Sequence, residues 1–227
     1  MNIDKIKRVF LLGIGGIGMS GLARYFSRMG MEVSGYDRTS TELTRNLESE
    51  GIQIIYQDDE NLVSDSLKLP SEETLIIYTP AIPKNLLLKS FFVTQGYRLF
   101  KRSEVLGFIS ENRFTIAVAG THGKTTTSTM IAHILKHSGH DCSAFLGGIS
   151  TNYNTNVLFG ENNFVVVEAD EFDRSFLTLH PNIAVVTSAD ADHLDIYGDA
   201  SQLLKTFQMY LDRVVEGGTR IVKKGLP

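Results

Sequence analysis

The segment "GTHGKTTT" (120–127) sets a lysine and a run of hydroxyls directly behind a glycine turn. Gly120, Gly123, Lys124 and Thr125 keep most of the pattern G-x-x-x-x-G-K-[ST], with Val118 standing at its first glycine. Backbone N–H groups at such a turn surround phosphate, the lysine reaches the β- and γ-phosphates, and the hydroxyl can ligate magnesium. A turn that served packing alone would have no need of lysine beside glycine at a helix start, so the segment reads as an ATP site. Within it, His122 either touches substrate or shapes the loop.

An earlier loop carries a different phosphate chemistry. Gly13, Gly15 and Gly18 in "GIGGIGMSG" satisfy G-x-G-x-x-G between an apolar run and a helical pattern. Such glycines permit a tight turn and close backbone approach, so that a helix N-terminus receives a pyrophosphate. Ser20 adds a hydroxyl for a further phosphate contact, and Asp37 falls where an acid would bind a ribose hydroxyl. The backbone reads phosphate and not the base, so the nucleotide stays open at this point: a dinucleotide such as NAD, or another diphosphate.

Two acidic clusters complete the chemistry-bearing set. "FVVVEADEFD" ends in Glu168, Asp170, Glu171 and Asp173, and "IAVVTSADADHLD" ends in Asp190, Asp192, His193 and Asp195. At the carboxyl edge of a parallel sheet these would supply the oxygen ligands that magnesium prefers. His133 and His137 stand at i, i+4 but lack an evident third ligand, and they read as cations favoured near a helix C-terminus. Neither Cys142 nor any serine has the neighbours of a covalent nucleophile.

The elements that must position these residues follow from periodicity. Strands are expected at 8–12, 31–36, 52–56, 74–79 and 97–100, separated by helical stripes such as Leu22, Ala23, Phe26 and Met29. The helix carrying Leu43 and Leu47 has a capping-box signal in Thr39 and Glu42, and another helix is expected at 84–95. The segment 101–113 reads as a helix joining two units. Beyond it come strands at 114–120, 141–146, 163–168, 182–187 and 219–223, with helices at 124–138 and 200–215. This alternation predicts an α/β protein: a Rossmann-like parallel-sheet domain over 1–108, then a P-loop NTPase-like α/β domain over 109–227. A nucleotide-binding sheet begun at Phe114 has only the remaining half of the chain to finish in, which suggests a truncated piece.

The chain has 227 residues, 42% of them hydrophobic, and a formal net charge of −4. That balance gives no footprint for nucleic acid or an anionic membrane, and no stretch is long and apolar enough for membrane insertion. Lys5, Lys7 and Arg8 before the apolar run imitate a signal peptide, but four glycines at phosphate-loop spacing interrupt that run. A single cysteine suits a reducing compartment, so the expected location is cytoplasmic.

Taken together, "GIGGIGMSGLA", "GYD", "YTPAIPKN", "AGTHGKTTT", "LGGI", "VVEADEFDRSFL" and "HPNIAVVTSADADHLDIYG" resemble the Mur ligases of peptidoglycan synthesis, in order and in spacing. The resemblance implies that Gly15, Gly16, Ile17, Gly18, Met19 and Ser20 cradle the diphosphate of a UDP-sugar, with Asp37 and the loop of Thr79, Ala81 and Ile82 along the nucleotide. It implies ATP at Gly120, Thr121, His122, Gly123, Lys124, Thr125 and Thr126, and Mg2+ at Thr125, Glu168 and His193. Lys124, Glu168 and His193 would then serve the chemical step, and Asn156 in "STNYNTN" would face substrate. In the alanine-adding branch the partners are UDP-N-acetylmuramate, L-alanine and ATP, joined through an acyl phosphate. The chain departs from the family pattern at Ser188, where asparagine is frequent, and at Phe172, where a small polar residue is commoner. No lysine is assigned the carbamylated role some members carry, in keeping with the alanine-adding branch. The family has three domains, which implies that these residues hold the first and part of the second and do not complete ligation alone. The alternatives are an NAD-dependent oxidoreductase, a non-catalytic UDP-sugar-binding protein, and a related ligase adding another amino acid or a peptide.

Overall fold

The computed structural model describes residues 3–190, 197 and 199–226, the side chain of residue 4 excepted. The backbone divides into two compact units, Met1–Val105 and Leu106–Pro227.

The first unit is a five-stranded parallel sheet built from Arg8–Leu12 (β1), Glu32–Tyr36 (β2), Gln53–Ile55 (β3), Thr74–Tyr78 (β4) and Leu99–Lys101 (β5), in the order β3-β2-β1-β4-β5. Its central strands, "VFLL" and "LIIY", are near-continuous apolar runs because helices can cover both faces of a parallel sheet. Ile17–Arg28 (α1) buries Met19, Leu22, Ala23 and Phe26. Glu42–Ser49 (α2) buries Leu47, and Leu87–Thr94 (α3) brings Phe92 against Phe10 at a ring separation of 4.9 Å. Phe92, Phe10, Leu12, Ile76 and Leu88 belong to one core cluster, each such side chain contributing about 1.5–3 kcal/mol by leaving water.

Two boundaries differ from expectation. The helix expected at 84–95 begins at Leu87, where Asp58 accepts the N–H groups of Leu87 and Leu88 at 2.8 and 2.9 Å. The capping box of α2 lies at Thr41 and Thr44, two residues beyond the Thr39–Glu42 pair: each threonine hydroxyl accepts the other's N–H. Thr39 is instead tied by its N–H to Asp37, so it belongs to the loop before the helix.

Arg102–Ser110 (α4) spans the boundary between the units. The second unit is a six-stranded sheet of Phe114–Ala119 (β6), Ser143–Ser150 (β7), Thr155–Leu158 (β8), Phe164–Glu168 (β9), Ile183–Val186 (β10) and Thr219–Val222 (β11), ordered β11-β10-β6-β9-β7-β8. All pairings are parallel except β7 with β8, a hairpin absent from the expected strands. β7 therefore runs past the expected 141–146, and the "STNYNTN" loop is the turn of that hairpin plus the first half of β8.

Lys124–His137 (α5) packs on β7 and β9, and Ala200–Leu211 (α6) closes another side of the unit. The fully buried Tyr210 of α6 stacks on Phe176 at 4.9 Å and donates its hydroxyl to the Ala117 carbonyl of β6 at 2.8 Å. Cys142 is fully buried, and burial pushes its thiol up to about 11, so it packs as a small hydrophobe and does not act as a nucleophile.

Candidate functional site

In the first unit β1 lies between β2 and β4, so consecutive crossovers leave it in opposite directions and a crevice opens beyond its carboxyl end. The chain turns there at Gly13, whose φ of +87° favours glycine and whose N–H donates to the Tyr36 carbonyl at 2.8 Å. The loop is packed hard against its neighbours: a Cβ on Gly13 would lie 2.6 Å from Thr79 Cγ2, and one on Gly15 would lie 2.8 Å from Asp37 Oδ2. Gly16 caps α1 with extended backbone and no side-chain cap, and the first turn of α1 holds no acid. The positive dipole end of the helix therefore faces the loop with no acid of its own in the first turn.

A cavity of about 300 Å³ lies at this point, lined by Gly13, Gly16, Asp37, Thr79, Ala81 and Ile82 among others. The structure thus brings Gly16, Asp37, Thr79, Ala81 and Ile82, from three strand ends, onto one crevice. Asp37 braces the loop as well: Oδ2 accepts the Gly15 N–H at 2.8 Å and Oδ1 accepts the Thr39 N–H at 3.2 Å. Met19 and Ser20 are buried in α1. Ser20 is fully buried, its hydroxyl donates to the Ile17 carbonyl at 2.9 Å, and its N–H donates to the Gly16 carbonyl.

The second unit repeats the plan, with β6 between β9 and β10. Gly120 and Gly123 take φ of +134° and +81°, and Gly123 caps α5 without a side-chain bond. The loop is clamped from the end of β10. Ser188 Oγ accepts the His122 N–H at 2.7 Å and lies 3.0 Å from Thr121 Oγ1, while Thr187 donates to the His122 carbonyl at 2.5 Å. Ser188, a departure from the family pattern, is therefore a loop-shaping residue. His122 and Thr126 are exposed at the mouth.

Lys124 reaches across the loop, its Nζ donating to the Gly120 carbonyl at 2.7 Å and to Glu171 Oε1 at 2.8 Å. Glu171 is fully buried. Desolvation raises its carboxyl above the usual range, and the hydrogen bond from Lys124 partly offsets that shift. Tyr197 donates its hydroxyl to the Glu171 carbonyl, and burial with the nearby carboxylate pushes the phenol up to about 12.

Thr125 Oγ1 donates to Glu168 Oε1 at 3.1 Å, and Glu168 Oε2 accepts the Gly147 N–H at 2.8 Å. These are hard oxygen donors beside a phosphate loop, the donor chemistry magnesium takes, so the residues fit that ion. Asp192, His193 and Asp195 lie outside the described residues. Asn156, expected on a substrate-facing loop, is buried in β8, whose last three residues are all buried. Phe172 is 42% exposed, next to Asp173 and Arg174, whose φ of 52° and 55° are uncommon for residues with a Cβ. The rings of His133 and His137 lie 4.0 Å apart, tilted by 40°, and His133 Nδ1 lies 3.0 Å from the Tyr153 hydroxyl. The partnership of Lys124 with Glu171 and the clamp by Thr187 and Ser188 were missed from the sequence. The only sequence signal for them was their place at strand ends.

Each of the two α/β units thus carries a glycine loop between a strand and a helix at the carboxyl edge of its sheet. Residues 8–113 match the description "Mur ligase family, catalytic domain", and residues 118–225 match "Mur ligase middle domain". The chain belongs to the Mur ligase family. It is 50% identical over 226 residues to a UDP-N-acetylmuramate–L-alanine ligase of Christiangramia forsetii, covering 100% of this chain and 50% of that one. It is 52% identical over 222 residues to the enzyme of the same name from Cytophaga hutchinsonii, covering 96% and 47%. Among solved structures, a UDP-N-acetylmuramate-alanine ligase from Thermotoga maritima superposes with a TM-score of 0.84 at 29% identity, covering 96% of this chain and 49% of that one. The chain spans about half the length of the curated relatives it matches.

Proposed function

We propose that these residues form the UDP-sugar-binding and ATP-binding parts of a ligase that joins L-alanine to the lactyl carboxylate of UDP-N-acetylmuramate. The observation that carries this reading is the second loop. Lys124, Thr125 and Glu168 converge at the N-terminus of α5, a set that binding of a dinucleotide at the first loop would leave without a task. Identity near 50% to relatives named for that reaction supports the choice of substrates.

The UDP moiety would occupy the cavity along Asp37, Thr79 and Ile82, with its diphosphate on the backbone of Gly15 to Gly18. ATP would sit on Gly120 to Thr126, with Lys124 exchanging its carbonyl partner for a phosphate oxygen. Magnesium between Thr125 and Glu168 would neutralise charge on the transferring phosphoryl group. The lactyl carboxylate attacks the γ-phosphorus, ADP leaves, and the resulting acyl phosphate accepts the amine of L-alanine with loss of phosphate. Activation is required because a carboxylate is a poor electrophile at neutral pH. Such substrates suit the cytoplasm, as does a buried free thiol.

The experiment is a pair of titrations on Lys124→Ala. Loss of ATP-analogue binding with retained UDP-sugar binding supports two independent sites. Joint loss of both in a folded variant overturns the reading.

A further inference from the structure

The strand end that serves the second loop carries two carboxylates with different neighbours. Glu168 meets Thr125 and Glu171 meets Lys124, so two acids three residues apart reach two consecutive side chains of α5. Glu168 is half-buried and accepts from Thr125 and from the Gly147 N–H. Glu171 is fully buried, and Lys124 Nζ stands 2.8 Å from its Oε1 with 15% of the lysine side chain still exposed. Bound magnesium keeps several waters, which suits the half-buried acid and not one fully buried against a lysine.

Backbone bonds fix the mount of Glu171. The Ala169 N–H donates to the Val118 carbonyl at 2.9 Å, so the chain leaving β9 follows the chain leaving β6 toward the loop. The Glu171 carbonyl accepts the Arg174 N–H at 2.9 Å and the Tyr197 hydroxyl. An ammonium has three N–H donors. Lys124 gives one to Glu171 at 2.8 Å and one to the Gly120 carbonyl at 2.7 Å. These two bonds differ in what their loss costs. Taking the cation from a buried carboxylate costs more than one charge-assisted bond to phosphate returns, whereas giving up a neutral carbonyl costs less than giving up a charge. An arriving nucleotide therefore displaces the carbonyl and leaves the ion pair in place, with two N–H groups turned to phosphate oxygens.

We infer that Glu171 is a positioning residue of the second loop: it keeps hold of the Lys124 ammonium while a nucleotide binds, and so fixes where that ammonium meets the phosphates. This rests on the reading of the second loop as an ATP site. It gives the two acids of the β9 end separate tasks, Glu168 toward the metal and Glu171 toward the lysine.

The test titrates the full chain and its Glu171→Ala, Glu171→Gln and Glu171→Asp variants with AMP-PNP and ADP by calorimetry, and with AMP by ligand-observed NMR. A lysine at this place reaches the β- and γ-phosphates, which AMP lacks. Glu171→Ala should weaken AMP-PNP and ADP by about ten- to a hundredfold, the loss of one charge-assisted contact, and leave AMP unchanged. Glu171→Gln keeps an acceptor oxygen at the same reach and should recover most of that loss, whereas Glu171→Asp, one methylene shorter, should not. Unchanged or tighter AMP-PNP binding in Glu171→Ala overturns the inference, tighter binding marking Glu171 as a competitor for the lysine. An equal loss for AMP and AMP-PNP overturns it as well, since that marks a structural role. Should Glu171→Ala not fold, or AMP bind too weakly to follow, the comparison of Glu171→Gln with Glu171→Asp decides, and equal AMP-PNP affinities in those two overturn it. A wild-type chain that takes up neither AMP-PNP nor ADP refutes the ATP reading itself, whereas normal wild-type binding with an indifferent Glu171 refutes only the inference.

Discussion

Replacing Lys124 by alanine should do more than remove a phosphate ligand, because the lysine is also the cation beside a fully buried carboxylate. Desolvation already raises the Glu171 carboxyl, and the Lys124 bond is what opposes that shift. With Lys124 gone, the folded protein avoids a buried charge by keeping Glu171 protonated, while the unfolded chain still ionises it near its ordinary value of 4.5. Folding then takes up a proton, so the folded state binds more protons than the unfolded one and stability falls as pH rises. At about 1.36 kcal/mol for each pH unit above that ordinary value, the ceiling is about 3.4 kcal/mol at pH 7 and about 0.7 kcal/mol at pH 5. Breaking a buried pair by removing one partner costs about 3–5 kcal/mol in general, which agrees with the upper figure. Urea unfolding of wild type and Lys124→Ala across this range should show a deficit that shrinks toward acid pH. Adding Glu171→Gln to Lys124→Ala should abolish the pH dependence and recover most of the loss at pH 7. A deficit of equal size at every pH, or a double variant as unstable as the single one at neutral pH, would refute the coupling.

Further outcomes follow from the same geometry. Gly147→Ala would set a Cβ 2.2 Å from Glu168 Oε1, so Glu168 must swing away from Thr125, and magnesium-dependent ATP-analogue affinity should drop while metal-free affinity holds. Isothermal titration with and without magnesium checks this, and equal loss in both would contradict it. Tyr210→Phe keeps the stacking on Phe176 but leaves the buried Ala117 carbonyl short of a donor, for a loss of about 1–3 kcal/mol in urea denaturation. Ser188→Ala removes the acceptor of the His122 N–H and should loosen the ATP loop, weakening analogue binding without changing UDP affinity.

Both strand–glycine loop–helix units were legible because their glycines are neighbours in sequence and the flanking patterns change from strand to helix at the right place. The place of Asp37 just past the end of β2 was legible from the spacing. The pairing of Lys124 with Glu171 was not, since 47 residues separate them and only the order of β6, β9 and β10 brings their edges together. Strand β8 was invisible because its four residues follow an asparagine-rich turn and are too few to display a period, so Asn156 was read as loop when it is buried strand. The capping box was displaced because Thr39 and Glu42 satisfy the usual spacing, whereas Thr44, not a glutamate, returns the bond to Thr41. The intrahelical bond of the Ser20 hydroxyl to the Ile17 carbonyl has no sequence signal beyond a hydroxyl near a helix start.

We propose a UDP-sugar at the first loop and an adenine nucleotide at the second. The most direct measurement is calorimetric titration of the chain with UDP-N-acetylmuramate and, in parallel, with NAD. Saturable heat from the UDP-sugar and none from NAD is the predicted result. Saturation by NAD with no response to UDP-N-acetylmuramate would contradict it.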